Sequence, residues 1–423
     1  MQKTKVLILA AGVSHRMRPI GDKSFLEFLG KPLIERQLMF LKKNGFEDIV
    51  VVGRDMNIEK IREVELRVGV KVQIAEQKDD KGMCGAVLAA KEFIGESPLL
   101  IFCSNDVVDD SALELVRGGM NEEVDGLILG KKVEKYFPGG YLEVNAEGLI
   151  TNLIEKPGEG NEPSDLVNLV VHWYREPAKL IEHLEKAESE KDDIYETAIV
   201  EMIKGGAKVK ALPYSGFWQP IKYPWHVHNV FQFYLANEGR SIANSAKIAE
   251  NAVIDGDVVI GENVKIFEGA VIKGPAYIGD NSVVANNALV RGSHIGADCM
   301  VGFSTEVARS FWGNKVWTHM NYVGDSVIGN DVSFGAGAVT GNLRLDDGNV
   351  SVMIKGEKVD TGEQKVGSII GDGVRVGINT SIMPGVKIGG GAFVGAGIVV
   401  AQDVEENTFV RGDWQLKISE KRI

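Results

Sequence analysis

Two basic side chains, Arg16 and Lys23, follow Gly12 in the stretch LAAGVSHRMRPIGDK, just behind the apolar run at 6–9. A glycine after a buried strand lets the backbone approach a phosphate, and the two cations can neutralise a triphosphate and the charge that develops when part of it is transferred. The competing reading is a surface turn with solvated bases. Further on, Gln77 stands ahead of Gly82, an amide suited to reading a base edge beside a glycine that admits the flat ring. Asp106 lies just past another apolar run, where a carboxylate can hold Mg²⁺ against phosphates or, more plainly, cap a turn. Glu155 and Lys156 in LIEKP and Asn168 in LVNLVV offer polar groups to sugar hydroxyls and a sugar phosphate, the alternative for the first two being a solvated pair.

The elements that must position these residues are legible from periodicity. Apolar runs at 6–9, 49–52, 70–74 and 99–103 predict strands, and 32–43 predicts an amphipathic helix with Pro32 near its start and Gly45 past its end. Alternation of this kind predicts an α/β domain with a largely parallel sheet over 1–236, whose ligands bind at the carboxyl ends of the strands. From about 244 the rhythm changes. Aliphatic residues recur every sixth position at Ile254, Ile260, Ile266, Ile272, Ile278, Val284 and Val290, slip to five at Ile295, and resume at Val301 and Val307. A second run covers Ile370, Val376, Ile382, Ile388, Val394 and Val400. This repeat predicts a parallel β-helix over 244–405, three short strands to a coil, with a loop thrown out at about 340–367 and a tail at 406–423.

A length of 423 residues favours two or more domains. The formal net charge of −12 and the absence of a basic block argue against nucleic acid as a partner. Three scattered cysteines cannot build a paired framework and suggest a reducing compartment; with no secretory leader and no membrane-length apolar stretch, a cytoplasmic protein away from membranes is expected.

In this order, the loop with Arg16 and Lys23, Gln77 with Gly82, Asp106 and EKP resemble the sugar-1-phosphate nucleotidylyltransferases, which carry LAAGxGxRM, a PK lysine, Q(x)4G, GD and EKP. The resemblance covers about 1–230. It implies a Rossmann-like nucleotidyltransferase fold, nucleotide binding by Ala10, Ala11, Gly12, Gln77 and Gly82, catalysis with Arg16 and Lys23, a sugar-phosphate site with Glu155, Lys156 and Asn168, and Mg²⁺ on Asp106. The substrates it implies are an NTP, UTP or dTTP, and a sugar 1-phosphate. Ser14, Asp22, Met83 and Asn105 depart from the pattern, and Pro220 in GFWQPIKYPW stands where the family often has a second metal-binding aspartate.

The stretch WTHMNYVGDSVIGNDVSFGAGAVTGNL resembles the acetyltransferase half of the bifunctional enzyme that acetylates glucosamine 1-phosphate and uridylylates the product. The looped insertion and GINTSIMPGVKIG are more similar to the archaeal sugar-1-phosphate nucleotidylyltransferase/acetyltransferases. This match implies a left-handed β-helix of hexapeptide repeats, a homotrimer or a multiple of it, and acetyl-CoA as co-substrate. An amine must lose a proton before it attacks, and His319 is the residue type suited to act as the base. By motif position Arg291, Glu306, Tyr322, Asn342 and Lys365 complete the acceptor pocket, with Lys365 at the end of the interrupting loop; Ala308 replaces a lysine of the bacterial pattern and Ser333 an asparagine. Trp312 and Trp317 are expected at a subunit seam.

Two readings of different class follow. Both halves act as transferases, or one has lost its chemistry and survives as a nucleotide-sensing or trimer-forming module. Nucleotidyl transfer alone, with the β-helix used only for assembly, is a third.

Overall fold

The computed structural model describes residues 3–191, 193–413 and 417–419. The chain divides into two compact units, residues 1–13 with 33–220 and residues 14–32 with 221–423. Of the tail expected at 406–423, residues 414–416 and 420–423 lie outside the described set. Among the described residues no helix is long and apolar enough to cross a membrane.

The first unit is built on a nine-stranded sheet. Its parallel part runs Val72–Glu76, Ile49–Gly53, Lys5–Leu9, Leu99–Cys103, so the first strand of the chain is flanked by the second and the fourth of this set. The run IVVVG is buried along its whole length, which is why it reads as continuous rather than alternating. Beyond Leu99–Cys103 the sheet turns antiparallel: Leu166–Tyr174 pairs with it and with Gly126–Lys132, which pairs in parallel with Val209–Pro213. A hairpin of Gly140–Val144 and Ile150–Glu155 joins through Tyr141 and Val167. The helix predicted at 32–43 is Leu33–Lys43, with Leu33, Ile34, Leu38 and Leu41 buried. Order reverses between Lys5–Leu9 and Leu99–Cys103, and a doubly wound sheet opens its crevice outside the carboxyl ends at such a point.

The second unit is a parallel β-helix. Strands pair with the strand one coil on, as Val253–Asp255 with Val271–Lys273 and then with Leu289–Arg291. The bonded residues of successive coils lie 18 apart, three hexapeptides, shortening to 17 and 16 where a five-residue step occurs. Ile260, Ile266, Ile272, Ile278, Val284, Val290, Ile295, Val301 and Val307 form one buried column with Ile370 to Val400. Each such side chain contributes roughly 1.5–3 kcal/mol by leaving water.

One expectation is corrected here. Trp312 is fully buried inside the solenoid rather than at a seam, because a second five-residue step puts it at the next interior position after Val307; Trp317 is more than half exposed. The loop thrown out at about 340–367 carries an antiparallel hairpin, Ser351–Ile354 with Glu357–Asp360, and buries Val350, Val352 and Ile354. Pairing resumes across it, with partners 42 residues apart.

Residues 14–32 are held on the solenoid within this unit. Leu29 N–H donates to His294 Nε2 at 3.1 Å, Asn314 Nδ2 donates to Glu27 Oε2 at 2.8 Å, and Phe28 packs on Phe311 with ring centres 5.3 Å apart.

Candidate active sites

At the crevice edge of the first unit, Ala10, Ala11 and Gly12 continue the Lys5–Leu9 strand, Gln77 follows Val72–Glu76, and Asp106 follows Leu99–Cys103 after a short turn. The backbone of the opening loop is fixed by side chains that sequence reasoning missed. Asn57 Nδ2 donates to Ala10 O at 3.0 Å and Arg54 Nε to Ala11 O at 2.8 Å. A residue that leaves a strand end with its carbonyl bonded to a helix side chain has little freedom to rearrange, which suits a preformed phosphate cradle. Gln77 is buried, its Nε2 donating to Asp79 Oδ1 and Gly82 O at 3.0 Å each.

Asp106 is buried and opens the strand Asp106–Val108, which pairs antiparallel with Trp218–Pro220. Pro220 is the direct partner of Asp106 in that ladder. Asn105 Nδ2 donates to Asp106 Oδ1 at 3.2 Å, and Gln37 Nε2 donates to Asp106 O at 3.0 Å. Among the described residues no three His, Cys, Asp or Glu side chains gather into a metal site. One buried carboxylate nonetheless fits Mg²⁺, which keeps several waters and takes the rest of its oxygens from phosphates.

Glu155 and Lys156 close the hairpin strand and pair at 2.7 Å. Lys156 sits in the left-handed region at φ 48°, its N–H donating to Gly139 O at 3.1 Å; strain of this kind, of order 1 kcal/mol or more, tends to persist where geometry serves a ligand. Glu155 and Asn168 converge beside Gly140, where an added Cβ would lie 3.1 Å from Glu155 Oε2 and 3.5 Å from Asn168 Cβ. Behind Asn168 is a polar network with no counterpart in the sequence reading. Asn168 Oδ1 and His172 Nε2 are 2.8 Å apart, His172 Nδ1 and Tyr195 Oη 2.8 Å, and the Tyr195 and Tyr174 hydroxyls 3.4 Å. Burial pushes the His172 imidazole down to about 3, so it is neutral at physiological pH. Its signal was two polar residues in an otherwise apolar strand, LVNLVVHWY.

Arg16 and Lys23 fall in the second unit by its division, each in a short 3₁₀ turn, His15–Met17 and Lys23–Phe25. Ser14 takes φ 53°, a left-handed conformation, and its Oγ accepts from Lys23 N–H at 3.4 Å. The Asp22 side chain accepts from Ser24 N–H and caps the turn that begins at Lys23.

In the solenoid, Arg291, Glu306 and Tyr322 lie on one parallel ladder. Arg291 and Glu306 form an ion pair at 2.7 Å, and Asn342 Nδ2 donates to Tyr322 Oη at 3.1 Å. Asn342 also donates to Asp325, which receives both Nε and Nη2 of Arg309 at 2.6 and 2.7 Å. Arg309 and Asp325 were missed, though Asp325 lies in the quoted stretch, closing its HMNYVGD segment. His319 is exposed, with its backbone held on both sides: N–H to Asn321 Oδ1 at 2.7 Å and C=O from Thr305 Oγ1 at 2.9 Å. Lys365, also exposed, bridges to Leu343 at the foot of the hairpin loop, next to Asn342.

Residues 5–264 match the nucleotidyl transferase family, 237–358 the GMPPB C-terminal domain and 368–402 the hexapeptide repeat of succinyl-transferase. The chain is 36% identical over 418 residues to a bifunctional sugar-1-phosphate nucleotidylyltransferase/acetyltransferase of Sulfurisphaera tokodaii, which spans 96% of this chain and 100% of that one. It is also 36% identical over 422 residues to the bifunctional protein GlmU of Methanococcus maripaludis, covering 98% and 99% of the two. The chain belongs to the bifunctional sugar-1-phosphate nucleotidylyltransferase/acetyltransferase family. It is an enzyme of the transferase class, joining nucleotidyl transfer and acetyl transfer in one chain.

Against the family pattern, three of the departures have local physical accounts. Asn105, in place of a glycine, spends its amide on Asp106. Ser14, also replacing a glycine, adopts the backbone a glycine would and offsets part of that cost through Lys23 N–H. Ala308 is fully buried between Arg291 and Gly324 in its ladder, and the next residue, Arg309, carries the cation.

Proposed function

We propose that the front part condenses a nucleoside triphosphate, UTP or dTTP, with a sugar 1-phosphate, and that the β-helix transfers acetyl from acetyl-CoA to the amine of an amino sugar phosphate. The functional division follows 1–236 and 244–405, with a tail at 406–423, in a cytoplasmic homotrimer or a multiple of it. The observation that carries the first half is the gathering of Ala10 to Gly12, Gln77 and Asp106 at the carboxyl edge of one parallel sheet.

Ala10, Ala11, Gly12, Gln77 and Gly82 bind the nucleotide, while Glu155, Lys156 and Asn168 orient the sugar and its phosphate. Asp106 would hold Mg²⁺, which when bound would supply charge neutralisation on the phosphates. A sugar-phosphate oxygen then bonds to the α-phosphorus in line as the bond to the β-phosphate oxygen breaks, releasing pyrophosphate. Arg16 and Lys23 offset the charge of that transition state, so that position and electrostatics carry the step without a covalent intermediate. In the second reaction the amine attacks the thioester carbonyl, His319 accepts the amine proton, and coenzyme A leaves as the thiol once protonated. Arg291 binds the sugar phosphate, and Glu306, Tyr322, Asn342 and Lys365 hold the acceptor.

Incubation with UTP or dTTP, Mg²⁺ and glucose 1-phosphate or N-acetylglucosamine 1-phosphate should release pyrophosphate, and no release with any pair refutes the first step. Pro220 opposite Asp106 favours one other reading, a front part that binds nucleotide without turnover; calorimetric UTP binding with no pyrophosphate would select it. His319→Ala should abolish acetyl-CoA consumption with glucosamine 1-phosphate, and unchanged consumption removes the base.

A further inference from the structure

The amide of Gln77 has a determined orientation. Its Nε2 faces Asp79 Oδ1 and Gly82 O, both at 3.0 Å, and Gln77 is only 4% exposed. A carboxylate and a peptide carbonyl accept hydrogen bonds and cannot donate them. The Gln77 atom that meets both is therefore the nitrogen; the flipped amide would set three oxygens against one another. Each of the two N–H bonds is used once, and Oε1 is the polar atom that remains.

Asp79 is itself held in place. Its Oδ1 also accepts from Lys81 N–H at 3.2 Å, and its backbone oxygen accepts from Arg54 Nη2 at 2.7 Å, the same guanidinium whose Nε binds Ala11 O. The pairing needs a glycine behind it: a Cβ on Gly85 would lie 2.0 Å from Asp79 Oδ1 and 2.7 Å from Gln77 Nε2.

We propose that Asp79 is a specificity-determining positioning residue for the nucleotide, locking Gln77 with its carbonyl oxygen as the atom that reads the base. The site then takes a triphosphate whose base presents an imino N–H to that oxygen, as uracil and thymine do at N3, and rejects cytosine, which presents a lone pair there. Asp79 acts through Gln77 and does not touch the base. The inference rests on the proposed placement of Gln77 against the base.

The test is calorimetric binding of UTP and CTP with Mg²⁺ to the full chain. The native protein should prefer UTP by about 30-fold or more, the range in which an unpaired or opposed polar group discriminates. Asp79→Ala removes one of the two acceptors that fix the amide, leaving Gly82 O alone to restrain it, and should cut the UTP-to-CTP preference by at least about tenfold; Asp79→Ser, which also removes the carboxylate, should do likewise if the first variant folds poorly. A merely structural role would weaken both nucleotides alike and leave the ratio where it was. An unchanged ratio in Asp79→Ala, with Gln77→Ala still weakening UTP, overturns the role of Asp79 and leaves the base-reading role of Gln77 standing. If Gln77→Ala leaves UTP affinity intact, the placement of the base falls and the Asp79 inference with it. Equal native affinity for UTP and CTP overturns the inference as well.

Discussion

Acid should destabilise the first unit through His172. The ring is fully buried, and burial pushes its pKa from the ordinary 6.5 down to about 3. The folded state therefore holds the ring neutral while the unfolded chain takes up a proton below about 6.5. A base whose folded pKa is depressed contributes full stability above its unfolded pKa and loses it as pH falls, at about 1.4 kcal/mol per unit until the folded pKa is reached. Between pH 6.5 and 5 the loss is about 2 kcal/mol, and it would approach about 5 kcal/mol at saturation near pH 3. Hydrogen exchange of the Leu166–Tyr174 strand, corrected for intrinsic rates, reads this loss between pH 7 and 5. His172→Gln keeps a neutral hydrogen-bonding side chain beside Asn168 and Tyr195 and cannot titrate, so its loss over the same interval should be about 2 kcal/mol smaller, with the other titrating groups cancelling in the comparison. Equal losses in the two proteins, or an imidazole resonance titrating near 6.5, would refute the reasoning.

Pro220→Asp places a carboxylate in the ladder opposite Asp106: the half-saturating Mg²⁺ concentration for pyrophosphate release should fall several-fold, and melting temperature should drop without Mg²⁺ and recover with it. Asp325→Ala strips Arg309 of its bidentate partner and Asn342 of an acceptor; acetyl-CoA consumption should fall at least about tenfold while pyrophosphate release is spared. Ile272→Ala removes a fully buried column residue and should cost about 2–5 kcal/mol in denaturant unfolding of the solenoid, against under about 1.5 kcal/mol for Ile272→Val.

The positions proposed to meet a ligand could be picked out in advance, because a ligand demands a residue type at a strand end and strand ends are visible as the close of an apolar run. Gln77 and Asp106 follow such runs in the sequence and in the fold. The residues that hold them were not readable. Asp79, Arg54 and Asn57 look like any exposed loop or helix polar group until the backbone brings them to Gln77 and to Ala10 and Ala11. Trp312 escaped because the interior position is defined by the coil, and the repeat in the sequence shows it only where an aliphatic residue fills it.

Sequence alone determined the two architectures, since burial in a parallel sheet or a six-residue coil imposes its period on the chain directly. It also determined the order of the chemical residues. Tertiary structure decided which atoms face one another: that Pro220 pairs with Asp106, that Gln77 shows an oxygen rather than a nitrogen, and that His172 lies neutral behind Asn168. Those are properties of groups distant along the chain and adjacent in space, and hydrogen-bond direction and desolvation exist only once the groups have met.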